Sequence, residues 1–177
     1  MPSLWPFSHL VARRPAVRAT NLDIPAGNTI ANTTDETAFA SLATIPAGAL
    51  NVGAPVRMHL SGVYSAGIAQ ALTAKIKLGS VVLLNTGSLN GIANGSNLAW
   101  MAEVSLLPLA VGVNGGIDVS AAIRFATAAT AALSVNMQSV SPVTVDTTGA
   151  ADLTVTIGWA AASASNSITL RQFDVRW

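Results

Sequence analysis

Ile117, Val119, Ala121, Ile123 and Phe125 take every second position of one segment, and Asp118, Ser120 and Arg124 stand between them. Successive side chains of a strand point to opposite faces, so a period of two marks a strand with one buried face. Val56, Met58 and Leu60 repeat the pattern against Arg57, His59 and Ser61. Leu72, Ala74, Ile76 and Leu78 do so against Thr73, Lys75 and Lys77, which predicts both lysines on the solvent side. Leu153, Val155, Ile157 and Trp159 oppose Thr154, Thr156 and Gly158 in the same way. No segment reads as a confident helix, so the chain is expected to be all-β.

Less regular strands are predicted at Ala38 to Thr44, Ser80 to Asn85, Leu98 to Leu106, Ala132 to Gln138 and Ser167 to Trp177. In the last, Ile168 and Leu170 share one face while Phe173, Val175 and Trp177 share the other, which predicts a bulge near Arg171 or Gln172. An aromatic at Trp177 implies that this strand is pinned, within the sheet or against a symmetry mate. The stretch Ala126 to Ala132 reads as strand or loop rather than a helical turn, given its threonines and strand-like flanks.

Between these strands lie Pro46-Ala-Gly48, Asn51-Val-Gly53, Asn90-Gly91, Asn94-Gly95, Asn114-Gly115-Gly116 and Thr148-Gly149. Asn and Gly tolerate the positive φ angles of tight turns. Many short strands joined this way predict an antiparallel β-sandwich or barrel, and eight antiparallel strands in two sheets would be a jelly roll. Ile24-Pro-Ala-Gly27 and Ile45-Pro-Ala-Gly48 repeat ordinary turn chemistry and imply no duplicated domain.

Residues 1–28 contain four prolines (Pro2, Pro6, Pro15, Pro25) and no sustained period, so they are expected to form an extended N-terminal arm, with the sandwich occupying 29–177. Leu4, Trp5, Phe7, Leu10, Val11 and Val17 make the arm more apolar than a solvated tail. It docks either back on its own domain or on another subunit. Arg13, Arg14 and Arg18 make its beginning basic.

Charged residues are only 10% of the chain, against about 25% in a typical domain, so the surface is mostly neutral. Sparse charge protects poorly against self-association, which predicts an exterior covered by neighbouring subunits. The alternative is a monomer kept soluble by Ser, Thr and Asn. A net charge of +1 argues against a broad nucleic-acid or membrane footprint. The absence of cysteine excludes disulfides and thiolate metal sites. Pro2, Pro6 and His9 interrupt the apolar opening and arginines follow it, the wrong order for a secretion signal. No run approaches the ~18 apolar residues of a membrane helix, so synthesis in the cytoplasm is expected.

Catalytic groups are scarce. His59 lies on a polar strand face and His9 in the arm, neither placed as a general base. Asp118, Asp146 and Asp152 could share a loop region to hold calcium through oxygen ligands, although solvated turn aspartates are the commoner case. Phosphate loops, zinc spacings and nucleophile elbows do not occur. The expectation is a non-enzymatic protein without cofactor or metal. Carbohydrate binding would need exposed rings, and Trp100 and Trp159 fall on inferred buried faces, leaving Tyr64, Trp5 and Trp177 as a thin platform.

The run Ala43-Thr-Ile-Pro-Ala-Gly-Ala-Leu50, the strand from Val56 to Tyr64, Thr144-Val-Asp-Thr-Thr148, Leu153 to Trp159 and Asn166-Ser-Ile-Thr169 resemble small virion proteins of tailed double-stranded DNA bacteriophages. These are jelly-roll head decoration, or cement, proteins and related tail or spike modules. The resemblance spans roughly Thr29 to Trp177. It implies a homotrimer on the outer capsid surface, located in the virion, with the major capsid protein as partner and a terminal arm that crosses to a neighbour. Trp5, Phe7, Arg13, Arg14 and Arg18 are the expected partner-binding residues, because aromatics anchor interfaces and arginine pairs through a planar fork. The alternative function is a tail or fibre module binding host-surface carbohydrate.

Overall fold

Apolar residues at alternate positions become strands with one side turned inward, and the computed structural model describes residues 18–21, 28–39, 43–67, 70–92, 94–128 and 131–177. In chain order the strands are β1 (Arg18–Asn21), β2 (Thr29–Ala31), β3 (Thr37–Ala38), β4 (Ala43–Ile45), β5 (Val56–Ala66), β6 (Leu72–Leu78) and β7 (Val81–Asn85). They continue as β8 (Gly95–Ala110), β9 (Gly115–Ala128), β10 (Ala131–Gln138), β11 (Val143–Val145), β12 (Ala151–Trp159) and β13 (Ser167–Arg176). The fold is all-β, with two antiparallel sheets packed as a sandwich.

The larger sheet has the order β1, β13, β5, β8, β9, β10, and the smaller has β3, β12, β6, β7. Three short strands extend the margins: β2 continues along β13 beyond β1, β4 along β12 beyond β3, and β11 along β9 beyond β10. Each of these margins is therefore an interrupted strand. Between the β1 and β2 ladders, Leu170 N of β13 donates to the Asn28 carbonyl at 2.9 Å. Short, broken margins offer little backbone for another chain to pair with.

The inward faces hold the core. Val56, Met58 and Leu60 of β5 and Ile117 and Val119 of β9 meet Ile76 and Leu78 of β6 and Leu153, Val155 and Ile157 of β12. Each fully buried aliphatic side chain contributes about 1.5–3 kcal/mol relative to exposure. Phe39 stacks on Trp100 with ring centroids 6.0 Å apart and planes 7° from parallel. Tyr64 meets Phe125 edge-on at 5.3 Å and donates its hydroxyl to the Ala126 carbonyl at 2.5 Å. Trp159 Nε1 is the buried side-chain polar atom left without a partner among the described residues, and no feature of the fold accounts for it.

The regular strands lie where their alternation predicts. β6 coincides with the predicted Leu72 to Leu78, and the bulge expected near Arg171 appears as a register shift between Leu170 and Gln172. Two expectations change. The single strand predicted from Ala38 to Thr44 is two short pieces, β3 and β4, on the same margin of β12. Thr156, predicted on a wet face, is buried at 5% exposure. The cause is Glu36, which arches over β12 from the β2–β3 loop and accepts from Thr156 Oγ1 at 3.0 Å.

The same carboxylate pairs with Lys75 Nζ at 2.5 Å and with Lys77. These contacts, Lys75 first and Lys77 next, lower the Glu36 pKa from 4.5 to about 2. Both lysines of the chain are therefore held on the smaller sheet by one acid. Of the expected arm, residues 18–21 pair as β1 with β13 of their own chain. Residues 1–17 and 22–27 lie outside the described residues.

Candidate functional site

Two surfaces stand out, one apolar and one cationic. The first is an end of the sandwich built by residues 46–55, 111–114 and 146–150, with residues 139–142 beside it. Val52, Leu109, Val111, Val113 and Val140 are exposed there, which leaves Val82 as the one exposed large apolar side chain elsewhere among the described residues. These loops contain no lysine or arginine, and their one acid is Asp146. Asp146 accepts from Thr148 through both its hydroxyl and its backbone N–H, which lowers the carboxyl pKa and spends its charge within its own turn.

The loops at this end are tied together. Gly53 N donates to the Pro108 carbonyl at 2.9 Å. Thr147, buried between two loops, accepts from Gly112 N at its hydroxyl at 2.7 Å and donates its own N–H to the Gly112 carbonyl at 3.0 Å. Gly112 adopts φ +117°, a conformation that side chains rarely take, so glycine is needed for the turn. Apolar side chains held outward by a pinned scaffold form a preorganised contact surface, because little entropy remains to be lost on docking.

The second surface is the outer face of the larger sheet. Register sets Asp174 of β13, His59 of β5 and Glu103 of β8 side by side in one row. Arg57 and Arg176 are cross-strand neighbours in an adjacent row. Arg176 is held by Asp174 through Nη2 at 2.7 Å and Nε at 2.9 Å. The face is concave, with two hollows that meet at His59. One, of about 800 Å³, is bordered by Arg57, Arg176, Glu103 and Asp174. The other, of about 840 Å³, is bordered by Arg124 and Arg171 and has no carboxylate in its lining.

Of the predicted partner-binding residues, Trp5, Phe7, Arg13 and Arg14 lie outside the described residues. Arg18 opens β1, with Arg176 as its register partner, which sets it near the start of β5, toward the apolar end. Trp100 and Trp159 are buried, as their strand faces predict, and Tyr64 is buried too, which removes it from any exposed sugar platform. Trp177 is half-buried and packs against the core.

The three aspartates weighed for calcium serve separate local roles. Asp118 accepts from Ser139 Oγ at 2.7 Å, Asp152 from Thr44 Oγ1 at 2.6 Å, and Asp146 from Thr148. Among the described residues no group of three or more His, Asp or Glu is close enough to hold a metal ion. None of the described helices is long and apolar enough to cross a membrane.

The sequence reading missed the apolar end, because its valines are scattered over three loops. It also missed the cationic hollow, whose two arginines are 47 positions apart and meet only through sheet order. Comparison with protein-family models, with curated proteins and with solved structures returns no match for this chain.

Proposed function

We propose that the chain is a structural protein of a bacteriophage particle, a jelly-roll head decoration protein that stabilises the shell by bridging capsid subunits. The observation that carries this reading is the pinned end bearing Val52, Leu109, Val111 and Val113, whose loops hold a single charged residue, Asp146. A surface of that kind gains free energy by leaving water against a complementary protein face. The N-terminal residues 1–17 precede Arg18, which pairs with Arg176 at that end. Their Trp5, Phe7, Arg13 and Arg14 would add anchors beside the docked valines.

The jelly-roll part of the reading is supported by strand order. Counting β1/β2 and β3/β4 as one strand each and setting β9 to β11 aside, eight successive strands remain. Their order is first, eighth, third, sixth in one sheet and second, seventh, fourth, fifth in the other. A single antiparallel ribbon wrapped around a core produces this order, first beside eighth and fourth beside fifth. The homotrimer and the virion location rest on sparse surface charge and on the sequence resemblance.

The test is decoration of empty phage heads that lack the protein, followed by electron microscopy. The chain without residues 1–17 keeps β1 and stays folded but loses most of its binding, and Val113→Asp loses it as well. Sedimentation equilibrium gives a species of three 18.0 kDa chains. Equal decoration by intact, truncated and V113D proteins would overturn the docking reading.

A further inference from the structure

We propose that the cationic hollow on the outer face of the larger sheet binds a carboxylate-bearing sugar of an acidic oligosaccharide. Its lining includes Val63 and Met101, and also three alanines, Ala99, Ala126 and Ala132. Residues this small leave the strand backbone open to close approach by a ring. Arg171 stands on β13 and Arg124 on β9, separated by β5 and β8. Three strand spacings put their backbones about 14 Å apart, and both side chains border the hollow.

Charge and size define the occupant. Neither guanidinium has an ion-pair or hydrogen-bond partner among the described residues. Of the acids on this sheet face, Glu103 and Asp174 border the neighbouring hollow, and Asp118 accepts from Ser139 and lines neither. A planar guanidinium in this state matches a carboxylate through two parallel N–H donors. The volume of about 840 Å³ falls within the range of small-molecule sites rather than that of a protein interface. Gln172, whose Oε1 accepts from Ser61 Oγ at 2.9 Å, keeps its amide N–H groups for sugar hydroxyls. Buried Tyr64 and Trp100 offer no exposed ring for a neutral sugar to stack on, so recognition falls to the carboxylate.

This inference is independent of the docking reading, because the hollow and the apolar end are built from different residues. Titration calorimetry of the full chain tests it with trigalacturonate and sialyllactose as acidic probes. Methyl-esterified trigalacturonate, maltotriose and a glutamate-rich peptide are the comparisons. At least one acidic sugar binds, and the ester and maltotriose bind at least tenfold more weakly. Arg124→Gln and Arg171→Gln each weaken the acidic sugar about tenfold or more, as loss of a charged hydrogen bond does. Arg57→Gln, in the other hollow, leaves affinity unchanged. The proposal is overturned if neither acidic sugar binds at millimolar concentration, if the ester binds equally, or if R124Q and R171Q retain full affinity. Tighter binding of the peptide than of either sugar also overturns it. Unchanged near-ultraviolet circular dichroism of each variant separates lost contact from lost fold.

Discussion

The indole of Trp100 in β8 donates to the backbone carbonyl of Thr169 in β13 at 3.1 Å, although β5 runs between those two strands. The bond passes where β5 has Gly62. A Cβ there would lie 1.9 Å from the Thr169 oxygen and 2.9 Å from Trp100 Nε1. One missing side chain thus lets the bulged part of β13 close on the core and satisfies a buried indole.

Gly62→Ala is therefore expected to destabilise the fold by about 2 kcal/mol or more, since the clash is with backbone and overpacking forces strands apart. Trp100→Phe keeps a ring against Phe39 but leaves the Thr169 carbonyl without its donor, costing about 1–3 kcal/mol. Urea denaturation of both variants checks this. A G62A protein as stable as the parent would mean that β13 moves away at little cost.

Glu36 gives the fold an acid-sensitive clasp. Its pKa falls from 4.5 to about 2, with the Lys75 contact the largest cause. A depressed carboxyl pKa stabilises the fold fully above pH 4.5, and the contribution disappears as pH falls through about 2. Glu36→Gln lowers the melting temperature at neutral pH, and its gap from the parent closes across that acid range. The side chain is one-third exposed, so added salt narrows the gap as well. Thermal melts at several pH values, with and without about 0.5 M salt, where the Debye length is roughly 4 Å, measure both effects.

Thr147→Val removes the hydroxyl that accepts from Gly112 N while nearly preserving volume. An N–H left unpaired beside a buried side chain costs about 1–3 kcal/mol. The expected result is a modest fall in melting temperature together with faster amide exchange in residues 111–114. Exchange unchanged from the parent would show that Thr147 does not hold this loop.

Asn166 fastens the opposite end. It is fully buried, with Nδ2 donating to the Ala161 carbonyl at 2.9 Å and to Gln70 Oε1 at 3.1 Å, and Oδ1 accepting from Gly67 N at 3.2 Å. Asn166→Ala breaks all three bonds and is expected to cost about 1–3 kcal/mol, because Gly67 and Gln70 lose a partner at half-buried positions. Chemical denaturation reads the loss directly.

Strands long enough to show several alternations were legible from the sequence: β6, β9 and β12 carry four or five inward apolar residues each. The bulge in β13 was legible because Leu170 and Phe173 sit out of phase. β2, β4 and β11 have three residues each, too few to show a period, and β3 has two. Alternation also says nothing about which sheet a strand joins, so the placement of β9 to β11 beyond β8 was not foreseen. Glu36 reads as an ordinary loop acid, since its lysine partners are 39 and 41 positions away. Register brings such distant residues together, and register is a property of the folded sheet.

The interrupted margins bear on how such a molecule tolerates crowding. On two of them, an approaching chain finds paired runs of only two to four residues: β1 then β2, and β3 then β4. Ladder growth needs an uninterrupted rail, and neither side supplies one. Copies pressed together at high density would thus find a longer rail only along β7 and β10, the outer strands on the other side of each sheet.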